Sequence, residues 1–253
     1  MPFSSRASRR PAGAPDSPEF PRLQVLKLGG SLLGSPDLRQ QLGCWWRHLQ
    51  ERPGGPSPWL VVVGGGEIVD VVRRWDQSFS LTPRASHRLA LSGMQVTARL
   101  LSAMMEWPLL ELPEPTEACG ANEWAGLLAH LTPRVREPGV QEPGVREPGV
   151  RDTHACPLIV DLSRAAMGDR SLPESWDLTS DSLAMWLATR LGAERLVLLK
   201  AVNPLENPVK IGKICGLGWI DAYFSRMWSE GPGIQVEIAH FFQCPQVSLV
   251  QEG

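Results

Sequence analysis

The chain has 253 residues, 43% hydrophobic and 21% charged, enough for one large α/β domain or two small ones with a substantial core. Its 25 Lys plus Arg against 27 Asp plus Glu leave a net charge of -2, which excludes a uniform basic field for non-specific nucleic-acid binding. Apolar runs break within about ten residues, short of the roughly 20 that cross a bilayer, so no membrane span is expected.

The five cysteines, Cys44, Cys119, Cys156, Cys215 and Cys244, are scattered and odd in number. That pattern fits a reducing, cytoplasmic setting and argues against structural zinc or a disulfide framework. Only four of the 25 basic residues are lysine: Lys27, Lys200, Lys210 and Lys213. Arginine does the generic surface work, so each lysine stands out.

In chain order, residues 1–21 are rich in Ser, Arg and Pro, with the first acid at Asp16. The prolines interrupt any amphipathic targeting helix, and a disordered tail is expected. Residues 22–253 read as one domain. Leu23 to Leu28 is a short apolar strand ending in Gly29-Gly30-Ser31, and Ser35-Pro36-Asp37 then opens a helix reaching about Leu49. Trp59 to Val63 is a second buried-type strand, ending in Gly64-Gly65-Gly66. Glu67 to Trp75 and Ala85 to Met105 follow as helices.

Between Arg136 and Arg151 the motif EPGV recurs at Glu137, Glu142 and Glu147. Pro-Gly turns and alternating charge mark it as an exposed low-complexity insert within the domain. Beyond it, Pro157 to Val160 reads as strand, Ser180 to Leu191 as helix and Arg195 to Leu199 as strand. Strand and helix alternate throughout, which predicts an α/β fold, a three-layer αβα sandwich on a mostly parallel sheet. Ligands of such folds bind at the carboxyl ends of the strands.

The two glycine turns place bare amides at helix N-termini, where N–H groups and the helix dipole stabilise phosphate or carboxylate. Each could also be only a tight strand-to-helix connection. Lys27 stands two residues before Gly29, so its ammonium can reach over the same turn. Neither turn matches GxxxxGK[ST], and GxGxxG is absent, so neither a P-loop nor a dinucleotide fingerprint is supported.

Three blocks resemble those of the amino acid kinase superfamily, which includes acetylglutamate, aspartate, uridylate and isopentenyl phosphate kinases. They are Val25-Leu26-Lys27-Leu28-Gly29-Gly30-Ser31, Val61-Val62-Val63-Gly64-Gly65-Gly66 and Asp177-Leu178-Thr179-Ser180-Asp181-Ser182-Leu183-Ala184. The resemblance runs from about Leu23 to Val202 without the repeat insert. His87-Arg88-Leu89-Ala90 through Met94, with Leu172 to Ser182, is most similar to the branch acting in methanofuran biosynthesis, which phosphorylates aminomethylfuranylmethyl phosphate.

The resemblance implies an ATP-dependent kinase that uses Mg2+ and converts a phosphate monoester to a diphosphate. By it, Lys27 bridges the transferring phosphoryl group and Asp181 orients the active-site lysines. Amides around Gly29, Gly30 and Ser31 hold nucleotide phosphate, those of Gly64, Gly65 and Gly66 hold the acceptor, and Thr179 and Ser180 line the acceptor side, where His87, which matches the methanofuran branch, is a further substrate-binding candidate. No residues are assigned as metal ligands. Many relatives carry Val-Asp-Gly after the strand at 195–199, where this chain reads Lys200-Ala201-Val202-Asn203-Pro204. Lys200 or Lys213 is then the candidate second phosphate-binding lysine.

Plainer readings stand beside these. Lys27 could snorkel to solvent, Ser180 and Asp181 could simply cap a helix, and His87 could be a cap or packing residue. The ten tryptophans, Trp45-Trp46 among them, read as core or subunit interface, with Trp176 the one candidate for lining a pocket. A homo-oligomer, a dimer or higher, is expected. The competing function is a nucleotide- or anion-binding protein of the same fold without transfer chemistry.

Overall fold

Continuous apolar runs decide the architecture. The computed structural model describes residues 23–50, 58–115, 156–202, 209–230, 233–242 and 246–250. The expected tail at 1–21 and the EPGV repeat at 136–151 lie outside the described residues. The strands are β1 (Gln24–Leu28), β2 (Trp59–Val63), β3 (Leu109–Glu111), β4 (Leu158–Asp161), β5 (Arg195–Lys200), β6 (Val209–Lys210), β7 (Gln235–His240) and β8 (Gln246–Val250). They form one sheet in the order β3-β4-β2-β1-β5-β7-β8-β6.

From β3 to β7 the six central strands are all parallel, while β8 runs antiparallel to β7 and β6 pairs parallel with β8. Every residue of β2 is buried, as is the Leu196–Leu199 stretch of β5. A parallel strand covered on both faces needs this run of Leu and Val rather than alternation.

Alternate residues feed two cores. Val25, Leu60, Val62, Leu196, Leu198 and Ile238 face one, built with α5 (Ser180–Arg190), α6 (Ile211–Gly216) and α7 (Ala222–Glu230). Leu26, Leu28, Val61, Val63, Val197 and Leu199 face the other, built with α1 (Leu38–Gln50). The three-layer sandwich follows from this two-sided burial. Helix α3 (Pro83–Met105) contributes Leu91 and Met94 to the first core and Ala98 and Leu101 to the second. It starts where Thr82 accepts the Ala85 amide at 3.2 Å, with Pro83 in the first turn.

Helix α2 (Gly66–Phe79) runs four residues past the expected Trp75. A 3-10 turn at Gly30–Gly34 precedes α1, which begins at Leu38 after the expected Ser35-Pro36-Asp37 start. Short β3, helix α4 (Ser163–Gly168) and all the elements after Val202 are additional to those expected from the sequence. Trp45 is core: it is buried in α1 and its Nε1 donates to the Phe241 carbonyl at 2.6 Å. Among the described residues, no helix is long and apolar enough to cross a membrane.

The strand order reverses at β1. The chain moves from β1 to β2, out to β3 and back to β4 on one side, then crosses to β5 and β7 on the other. The crevice beyond the carboxyl ends of β1 and β5 is therefore a topological switch point, the place where open α/β sheets bind ligands.

Candidate active site

At that crevice two lysines meet one aspartate. Side chains alternate along a strand, and Lys27 and Lys200 share the face on which Val25, Leu196 and Leu198 pack beneath α5. Asp181, in the first turn of α5, receives Lys27 Nζ on Oδ1 at 2.6 Å and Lys200 Nζ on Oδ2 at 2.6 Å. Lys27 is 4% exposed and Asp181 6%, so neither charge is in bulk water. Lys200 Nζ also donates to the Trp219 carbonyl.

Burial of Asp181 follows from the sequence of its helix. From Asp181 to Ala188 every residue of α5 is buried, and a helix apolar on all sides sinks between other elements. The N-cap is Thr179, whose Oγ1 accepts the Asp181 amide at 3.2 Å. This corrects the reading of Ser180 or Asp181 as the cap. With the capping done one turn position earlier, the Asp181 carboxylate is left to the lysines.

Burial alone would raise the Asp181 carboxyl, but Lys27 and then Lys200 overcome it and hold the group below the ordinary carboxylate range. Burial pulls the Lys27 ammonium below the ordinary lysine range; Asp181 opposes this and Lys200 adds to it. Two cations thus share one carboxylate at the strand ends. Such a cluster stabilises added negative charge.

The glycine turns are interlocked. A Cβ on Gly30 would stand 2.2 Å from the Gly66 nitrogen and 2.8 Å from the Gly64 carbonyl carbon, so only glycine lets the two main chains meet. Gly66 also holds φ +52, a conformation costly to other residues. The assignment of amides needs correction at two positions. Gly29 N–H donates to Leu199 O at 3.0 Å and Gly64 N–H to Leu28 O at 2.9 Å, so both serve the strand ends rather than a ligand. Gly30, Ser31, Gly65 and Gly66 line a cavity of about 230 Å³. The amides of Gly30, Ser31 and Gly66 stand at helix starts, which have no intrahelical acceptor.

The same cavity is lined by Thr179, Ser180, His87, Met94 and Trp176. His87 is buried, and burial lowers its imidazole below the ordinary range against the opposing charge of Glu174. Trp176 is fixed by Nε1 donating to Asp76 Oδ2 at 2.7 Å and by Arg73 stacked 5.1 Å from its ring centre. Lys27, Lys200 and Asp181 adjoin the cavity through the Thr179-Ser180-Asp181 turn and do not line it. Lys213 is exposed on α6 and takes no part in the Asp181 ion pairs. Of the two candidates for a second lysine, the structure brings Lys200 to Asp181.

Sequence reading missed Asp221. Its Oδ2 accepts from Thr179 Oγ1 and its Oδ1 from Ser182 Oγ, each at 2.5 Å. An Asp ahead of the Phe224 and Trp228 spacing is a legible cap signal, but contacts across about 40 positions leave no local trace.

No protein-family model matches this chain, and no curated protein matches it in sequence. Solved structures do match its fold. The UMP kinase from Ureaplasma parvum is similar with a TM-score of 0.60 at 11% identity, over 91% of this chain and 97% of its own. The uridylate kinase from Archaeoglobus fulgidus gives 0.54 at 12% identity, over 90% and 99%. For the aspartate kinase from Synechocystis the values are 0.58 and 17%, over 91% of this chain and 40% of that longer one. At these identities the likeness is one of fold: the αβα sandwich expected from the sequence is the architecture of these kinases.

Proposed function

We propose that this chain is an ATP-dependent kinase of the amino acid kinase superfamily, moving a phosphoryl group onto a small phosphate monoester to give a diphosphate. The reading is carried by one observation: a buried carboxylate paired with two lysines beside two interlocked glycine turns at the switch point of the sheet. The shared fold of UMP, uridylate and aspartate kinases supports it. Aminomethylfuranylmethyl phosphate is the acceptor that the sequence resemblance favours.

Phosphoryl transfer demands alignment and neutralisation of charge more than covalent help from the protein. Lys27 and Lys200 supply the positive charge, and Asp181 fixes both ammonium groups so that no reorganisation is needed as charge moves. Amides of Gly30 and Ser31 meet the nucleotide, while Gly65 and Gly66 with Thr179 and Ser180 meet the acceptor. Both oxygens of Asp181 are taken by lysines, so the residues fit a magnesium ion carried on triphosphate oxygens rather than held by this carboxylate. Carried in with the nucleotide, magnesium would add charge neutralisation to that supplied by Lys27 and Lys200.

The test is incubation with magnesium ATP and a panel of phosphate monoesters, aminomethylfuranylmethyl phosphate among them, with products identified by mass spectrometry. Acceptor-dependent ADP and a diphosphate are expected. ATP binding without ADP release across the panel would overturn the kinase reading in favour of a non-catalytic binding protein.

A further inference from the structure

The loop before α7 carries a carboxylate that grips the Asp181 turn from outside its own helix. Asp221 accepts hydroxyl hydrogen bonds from Thr179 and Ser182, the residues that bracket Ser180 and Asp181, both at 2.5 Å. Its Oδ1 also accepts the Phe224 amide at 2.7 Å, which is the capping bond of α7. Two residues earlier, the Trp219 carbonyl accepts from Lys200. The segment Trp219–Asp221 therefore holds both halves of the ion-pair cluster, Lys200 by a carbonyl and the Asp181 turn by a carboxylate.

Capping accounts for one of the three contacts. The two hydroxyl bonds come from another helix, and they constrain the backbone on both sides of the residue that both lysines share. We propose that Asp221 is a positioning residue for the Lys27, Asp181 and Lys200 cluster, fixing the aim of Asp181 through Thr179 and Ser182 and placing a second negative charge beside the cluster. The groups facing Lys27 are Asp181 from α5, Lys200 from β5 and Asp221 from the loop before α7, while β2 presents only the apolar Val62 beside it. Asp221 and Asp181 are the two that favour the charged ammonium. Removal of one leaves Lys27 with less support against burial.

The effect on turnover rests on the kinase reading; the effect on Lys27 does not. Asp221→Asn keeps the size and an acceptor oxygen and removes the charge. With only four lysines in the chain, lysine labelled with 13C at Cε gives a spectrum in which Lys27 is identified by its loss in Lys27→Arg. In Asp221→Asn the titration midpoint of Lys27 is expected to fall by about half a pH unit or more. The alkaline limb of kcat should follow by the same amount, with the KM for ATP little changed. Ser182→Ala, which removes one hydroxyl bond and leaves both carboxylates, should move Lys27 in the same direction by less, and it carries the test if Asp221→Asn does not fold. A Lys27 midpoint that stays where it is in the folded variant overturns the proposal. A midpoint that moves in a protein that transfers no phosphoryl group in its natural form overturns the kinase reading alone.

Discussion

Two carboxylates in this molecule each receive two cations, and they differ in almost everything else. Asp181 holds Lys27 and Lys200 at 2.6 Å with all three side chains largely out of water. Glu174 faces Arg84 at 3.3 Å and Arg88 at 4.0 Å with all three well exposed. Water screens the second cluster, and pairs of that kind contribute about 0–1 kcal/mol. In the first, each charge depends on its partners, because an uncompensated buried ion costs several kcal/mol. Equal stoichiometry thus gives a solvated surface feature in one place and a buried, preorganised charge cluster in the other.

The largest expected effect comes from removing the shared carboxylate. Asp181→Ala should abolish measurable phosphoryl transfer and lower the free energy of unfolding by about 3–5 kcal/mol, read from urea denaturation. A variant as stable as the natural protein would erase the contrast between the two clusters. Lys27→Ala should keep its circular dichroism spectrum and lose turnover by roughly a hundredfold or more, the scale for deleting one preorganised charge donor. Gly30→Ala forces a methyl group against Gly66 and should cost about 1–3 kcal/mol, checked by thermal unfolding.

The pH dependence separates the clusters further. The folded pKa of Asp181 is depressed, so its stabilising contribution is fully present above the ordinary carboxylate range and is lost as pH falls through the lower folded value. Asp181→Asn should flatten that acid limb of stability, whereas Glu174→Gln should leave it intact. The folded pKa of Lys27 is also depressed, so the folded protein sheds this proton sooner than the unfolded chain. Turnover should therefore decline as pH rises while free lysine is still charged. The smallest effect belongs to Glu174→Gln itself, within about 1 kcal/mol of natural stability by denaturant titration.

The parallel core was legible because Trp59–Val63 and Leu196–Leu199 are unbroken apolar runs, and the glycine turns were legible because each follows an apolar strand. Lys27 was conspicuous through the scarcity of lysine. The choice between Lys200 and Lys213 was not legible, since it depends on β5 lying beside β1 rather than on any local pattern. The same holds for Asp221, whose hydroxyl partners stand on a helix far back in the chain. Gly29 and Gly64 were assigned ligand contacts because a glycine beside a strand end looks the same whether its amide closes the sheet or faces a cavity. Register decides between them, and here it directs both to neighbouring strands.

The contact between Gly30 and Gly66 has a mechanical consequence. With main chain resting directly on main chain, neither turn has slack, and a displacement of one is transmitted to the other without a side chain to absorb it. On the proposed function, a molecule that reshapes the first turn would change the affinity of the second, and by reciprocity the second ligand would change the first by the same factor.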